Sequence, residues 1–190
     1  MHRVSDWLYR LSSWPAICIA TIAYGLFLTQ VMAPHAAEMQ SFAGQWGAPD
    51  GHFFYSPEKL YAEVENWGDG GRQHYINFRL GLDPLWALTY TAFIVSITSV
   101  ALRRALAANN PRRRLNLVAL APMGADLLEN LLGIVLMSKY PVQIELLAWL
   151  MAATSAFKWL TLVVAHLIML YAVFAAVSVI VRDRSQMFHE

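Results

Sequence analysis

Asp126, Glu129 and Asn130 fall in one apolar stretch, Leu115 to Met137, that carries no other charge. At about 100° per residue in a helix, Glu129, Asn130, Gly133 and Pro122 all lie within roughly 60° of Asp126. Leu117, Leu120, Leu128, Leu131 and Val135 take the opposite side. Two carboxyls and an amide on one face can hold a polar ligand or exchange a proton. Energetics make that face demanding. Each carboxylate costs about 2.5–3.5 kcal/mol at the centre of a hydrophobic span. The eleven Leu, Ile and Val residues of the stretch return only about 0.3–0.6 kcal/mol each. The balance is near zero, so the acids need partners, protons or water, and each of these implies a polar space between helices.

Lys158 is the only charge in the last apolar run, Leu146 to Val181, and it belongs at the depth of Glu129 and Asn130. It is the expected counter-ion of Glu129 or Asp126, with the second carboxyl protonated or matched by Arg79 or Arg72. Asp83 and Tyr90 share a face of the second apolar run. The ligand-binding or proton-handling set expected from sequence is therefore Asp126, Glu129, Asn130, Lys158, Arg79, Asp83 and Tyr90. Plainer roles exist for each group. Asp83 stands just before Pro84, as an N-cap does. Lys158 can snorkel to an interface, and buried polar residues also serve as glue between helices.

Other chemistry finds little support. His35, His52 and His74 could meet outside the spans, but their spacing matches no ligand motif, so no metal is expected. His166 stands alone in its run, whereas bis-histidine haem ligation needs a second ring at the same depth, so no cofactor is expected. Cys18 is the sole cysteine, which excludes an intrachain disulfide and dithiol chemistry. Gly-rich phosphate loops, nucleophile elbows and HExxH sequences are missing. A net charge of +1 offers no electrostatic basis for nucleic-acid binding.

The elements that must position these residues follow from composition. The chain is 57% hydrophobic and 14% charged, against about 25% charged in soluble domains. The expected fold is all-α, an integral membrane four-helix bundle with a large, partly helical outer loop between spans one and two. A span needs roughly 20 apolar residues, which places the four at about 14–32, 84–102, 115–137 and 156–181. The last run is too long for one perpendicular crossing. Residues before about Ala156 are expected to form a short interfacial lead-in, with one strongly tilted helix as the alternative. Ala165, Ala172 and Ala176 align with Lys158 as a packing stripe.

Arginines set the expected orientation. The segment RRALAANNPRRRLN between spans two and three holds five of them, and Arg3, Arg10, Arg182 and Arg184 flank the outer spans. Basic segments stay inside, so both termini are expected in the cytoplasm, with the chain in a plasma or bacterial inner membrane. Residues 33–80 carry six acids against Lys59, Arg72 and Arg79 and belong outside. The basic start and Val31-Met32-Ala33 look like a cleavable signal, but the apolar run exceeds the typical 7–15 residues, so an uncleaved span is expected.

Within the outer cap, residues 33–83, the first half shows turn chemistry and no clear period. Ser56-Pro57-Glu58 then opens a helix that should stop at Gly68. Asp69-Gly70-Gly71 reads as a turn, and Arg72 to Leu80 as a second short helix. The aromatics Trp46, Phe53, Phe54, Tyr55, Tyr61, Trp67 and Tyr75 suit a cap resting on the bundle mouth or the bilayer surface.

Four spans with one large loop between the first two resembles the layout of claudins, tetraspanins and vitamin K epoxide reductases. Each of those depends on cysteines that this chain lacks, so only the layout is shared. The favoured expectation is a non-enzymatic protein that binds or passes a small molecule or lipid, a transport-like role, through an outward-facing polar cavity. The absence of an inverted repeat argues against a complete carrier in one chain, and a homo-oligomer could supply the missing half. An intramembrane lipid-modifying enzyme with a carboxylate acid or base, and an accessory subunit of a larger membrane complex, are the alternatives.

Overall fold

The structure is a computed structural model that describes residues 2–187, and among them it is helical with no strand. A short helix α1 (His2–Leu11) precedes α2 (Trp14–Phe27), which Ser13 caps by accepting the Ala16 N–H at 3.4 Å. α2 continues through a π-helical turn, Leu28–Met32, into α3 (Ala33–Ala43). Pro34 explains the wide turn: it has no N–H to give and its ring pushes the preceding carbonyls apart. The first long apolar helix therefore continues past residue 32, and the first half of the cap is helical where turn chemistry was expected. Three alanines and a methionine between Ala33 and Met39 sustain the helix.

α4 (Pro57–Asn66) starts as predicted, with Ser56 accepting the Lys59 N–H at 3.3 Å. It stops just before Gly68, whose φ of 61° suits a residue without Cβ. α5 (Gly68–Gly81) then begins at once, so Asp69-Gly70-Gly71 is the first turn of a helix and not a loop. Close packing is the reason: a Cβ on Gly71 would sit 2.8 Å from Trp67 Cβ and 2.9 Å from Phe42 Cβ.

α6 (Asp83–Ala105) runs back along the bundle. Pro111–Leu117 form a 3₁₀ segment before α7 (Leu120–Lys139), so the regular helix starts five residues later than the apolar run does. Asn110 caps the 3₁₀ segment, and Pro122 lies in the first α-turn, where the missing N–H costs nothing. α8 (Glu145–Met187) is one unbroken helix of 43 residues, about 65 Å long. No Gly or Pro occurs within it, so the residues before Ala156, expected as a short interfacial lead-in, belong to one long helix. Its first turns pack under the cap instead.

Four of these helices are long and apolar enough to cross a membrane: Trp14–Trp46, Asp83–Ala105, Pro111–Lys139 and Glu145–Gln186. Both described termini and the arginine-rich segment share one end of the bundle. There Arg104 pairs with Asp183 at 2.6 Å, and Arg103 donates to the Tyr9 and Ser12 carbonyls that end α1. The cap occupies the other end. Its aromatics Tyr55, Tyr61, Trp67 and Tyr75 are buried in one apolar core with Leu132 and Leu136 of α7 and Ala148, Met151 and Ala152 of α8. Ala165 packs in a second core between α6 and α8, and Ala172 and Ala176 in a third.

Candidate functional site

Burial follows the helical arc read from the sequence. Asp126, Glu129, Asn130 and Gly133 all face inward, with Glu129 wholly buried, while Leu128 and Leu131 are exposed. Lys158 comes to them from α8 and is 7% exposed, so it does not reach for an interface. Its ammonium lies 2.7 Å from Glu129 Oε2 and 3.4 Å from Asp126 Oδ1. One cation thus bridges both acids.

A second bridge is built at the junction of cap and bundle. Arg79, near the end of α5, pairs with Asp83 at 2.8 Å, one helical turn away, and with Asp50 from the 3₁₀ turn Pro49–Gly51. Its Nη1 also donates to Asn130 Oδ1 at 3.2 Å, which ties the two bridges together. Asp83 is therefore an ion-pair partner. The capping role does not apply, because Asp83 already stands inside α6 and Leu82 precedes it without a side-chain cap. Arg72 does not join the site: it bonds Asp69 at 2.5 Å and the Val64 carbonyl at 2.9 Å, and lies over the Tyr140 ring.

Asp50 is the participant that sequence reasoning missed. It reads as an ordinary turn residue in Ala48-Pro49-Asp50-Gly51. Helix α8 pulls that turn inward. Trp159 Nε1 donates to the Asp50 carbonyl at 3.1 Å, Lys158 Nζ to the same oxygen at 3.4 Å, and Ser155 Oγ to the His52 carbonyl at 2.7 Å. The available signal was a charge ledger. Lys59 pairs with Glu63 and Arg72 with Asp69, each within one helical turn, which leaves Arg79 as the cap cation able to serve two acids.

Electrostatics hold the second bridge ionised. Burial works hardest against a charged Asp50, but the Arg79 guanidinium and the Lys158 ammonium together outweigh it and keep the carboxyl well below the usual carboxylate range. Burial also penalises Arg79, and Asp50, Tyr75 and Asp83 more than offset that penalty. Tyr75 stacks under the guanidinium, its ring centroid 4.7 Å from Cζ. Gly133 makes room for this ring: a Cβ there would overlap the Tyr75 hydroxyl and lie 3.0 Å from ring carbon Cε1.

Tyr90 donates to Asp126 Oδ2 at 3.2 Å from the other side. Together with Asp83, Asp126, Asp50 and Lys158 it lines a cavity of about 330 Å³. Leu28 and Met32 of the π turn, Trp86 of α6, and Trp159, Leu162 and His166 of α8 complete most of its wall. α2 and α8 each pack along α6 but make at most marginal contact with one another. The cavity occupies the space between them. Glu129, Arg79 and Asn130 stand behind its wall, so the set of seven divides into Asp83, Tyr90, Asp126 and Lys158 at the surface and three supporting groups.

The histidines do not assemble as a trio. His35 Nδ1 and His74 Nε2 meet at 3.1 Å, and Glu38 lies 3.1 Å from the other His74 nitrogen. His52 is elsewhere, stacked on Trp46 and bonded to its carbonyl at 2.7 Å. Among the described residues no group of three or more His, Cys, Asp or Glu is placed to hold a metal ion. Comparison with protein-family models, with curated proteins and with solved structures yields no match for this chain.

Proposed function

We propose that this chain is a four-span membrane protein, its arginine-rich end in the cytoplasm, that binds a small amphiphile in the cavity between its first and last spans. The carrying observation is the cavity's composition and place. Buried charged groups, Asp83, Asp126 and Lys158, stand at its polar end. Apolar side chains, Leu28 and Met32 of the π turn that follows α2 and Leu162 of α8, line much of the rest, and α2 and α8 do not close against each other. A gap between spans opens sideways to acyl chains, so a membrane lipid or similar molecule can enter with its tail in the bilayer. About 330 Å³ falls at the lower end of ligand pockets, roughly 300–1,000 Å³. That room suits a headgroup and a short part of a tail. π-Helical turns occur often at functional sites, and here one supplies two of the lining side chains.

The role is binding or passage, without chemistry: Glu129 is shielded behind the wall and Asp126 is shared between Lys158 and Tyr90, so neither carboxyl stands free as an acid or base. Native mass spectrometry of the protein released from membranes tests the proposal. The expected result is a retained amphiphile on the wild-type chain and its loss in Leu162→Trp, which fills the cavity. Equal retention in both proteins, or none in either, would reject it.

A further inference from the structure

The amphiphile site proposed above has a charge pattern that selects among headgroups. The cluster holds two cations, Arg79 and Lys158, and four carboxyls, Asp50, Asp83, Asp126 and Glu129. Each cation is shared between two acids, so formally two negative charges lack a cation of their own. The arrangement directs that excess toward the cavity. Asp50, Asp83 and Asp126 line it, against Lys158 and the ring of His166; the Lys158 ammonium is committed to Glu129 at 2.7 Å, and His166 Nδ1 to the Leu162 carbonyl at 2.8 Å. Arg79 is 2% exposed and lies behind its own acids. An anion entering here meets three carboxylates and no cation that is free to turn toward it.

Four aromatic side chains share the remaining wall with Leu28, Met32, Leu162 and His166. Tyr24 stacks on Trp86 at 5.2 Å between centroids, and Trp86 meets Tyr90 edge to face at 5.7 Å, forming one continuous surface from α2 to α6. Trp159 also lines the cavity, from α8, its indole N–H fixed by the Asp50 carbonyl and its ring already paired with the Lys158 ammonium 5.7 Å from the centroid, which leaves Tyr24 and Trp86 for a ligand. Aromatic faces attract cations, and organic ammonium groups above all, because the ring quadrupole is negative at its face and such cations are weakly hydrated. Carboxyls, indole and phenol rings in one wall make a receptor for positive charge. Resting on the amphiphile-binding reading, we infer that the site takes a compact cationic headgroup, an alkylammonium attached to an apolar tail. The ammonium sits among Tyr24, Trp86 and Asp83, away from Lys158, and the tail leaves along Leu28, Met32 and Leu162.

The test uses the full chain in a nonionic maltoside micelle and three ligands with the same ten-carbon tail: decyltrimethylammonium, decanol and decyl phosphate. Equilibrium dialysis against empty micelles reads the dissociation constants. The expected order is decyltrimethylammonium at least tenfold tighter than the other two. Trp86→Leu should weaken it at least fivefold, and Leu162→Trp and Met32→Trp should abolish it. These two fill the cavity from opposite sides, and circular dichroism with size-exclusion elution verifies that each is folded, so the test stands on either one. Equal binding of the cation and decanol, lost in the filled variants, would overturn the headgroup preference and leave the cavity reading standing. Tighter binding of decyl phosphate would overturn it also. Binding of none of the three would remove both readings.

Discussion

The Lys158 ammonium and the Glu129 carboxylate meet at 2.7 Å, on different helices and with both side chains almost fully buried. Each charge is tolerable only because the other is there. Removing one partner of a buried pair leaves the other uncompensated, at a cost of about 3–5 kcal/mol. Lys158→Met should therefore lower the thermal midpoint strongly. Adding Glu129→Gln to that variant should restore part of the loss, since one orphaned charge disappears. Thermal unfolding of both proteins in detergent measures this. A double variant no more stable than Lys158→Met would mean the pair is not coupled.

Gly133 and Gly124 lie on the same helix and should respond oppositely to alanine. A methyl at Gly133 collides with the Tyr75 ring, which carries the Arg79 guanidinium, whereas Gly124 has open space around it. Gly133→Ala is expected to destabilise by about 1–3 kcal/mol, the usual range for overpacking. Gly124→Ala should be neutral or stabilise by up to about 1 kcal/mol, because it removes backbone entropy from the unfolded chain. Unfolding midpoints of the two variants decide it.

Acid should dissolve the Asp50–Arg79 bridge in a defined way. The Asp50 carboxyl is depressed in the folded chain, so its contribution is complete above the ordinary carboxylate pKa of about 3.9. As pH falls below that value the unfolded chain takes up the proton first, and the contribution drains away at up to about 1.4 kcal/mol per pH unit. The stability advantage of the wild type over Asp50→Asn should be constant from pH 7 to 5 and should shrink from pH 4 to 3. A difference that stays level across pH 4 to 3 would contradict the bridge.

The hold of α8 on the cap turn can be loosened separately. Ser155→Ala removes the donor to the His52 carbonyl, a bond of 2.7 Å, and should cost about 1 kcal/mol. It should also speed hydrogen exchange in residues 48–54 while α6 and α7 remain protected. Uniform acceleration over the whole chain would instead indicate global destabilisation.

Orientation is testable with single cysteines in a Cys18→Ser background. Asn109, exposed in the arginine-rich segment, and Asp69, exposed on the cap, lie at opposite ends of the bundle. An impermeant maleimide added to intact cells should label a cysteine at 69 and spare one at 109. The reverse pattern would invert the assignment.

Sequence alone determined whatever depends on one helix at a time. The period of α7 put Asp126, Glu129 and Asn130 on its inner arc, and Lys158, the one charge of the run Leu146 to Val181, named their counter-ion. The Ser56 cap and the Gly68 stop were likewise open to reading, because each rests on neighbours in the chain. Tertiary structure alone decided which charges meet across elements. Asp50 enters the site because Trp159 and Ser155, more than a hundred residues away, hold its turn by backbone carbonyls, and carbonyls carry no sequence signature. The choice of Arg79 over Arg72, the burial of the cap aromatics on α7 and α8, and the open space between α2 and α8 depend on how finished helices pack, a property of all of them together.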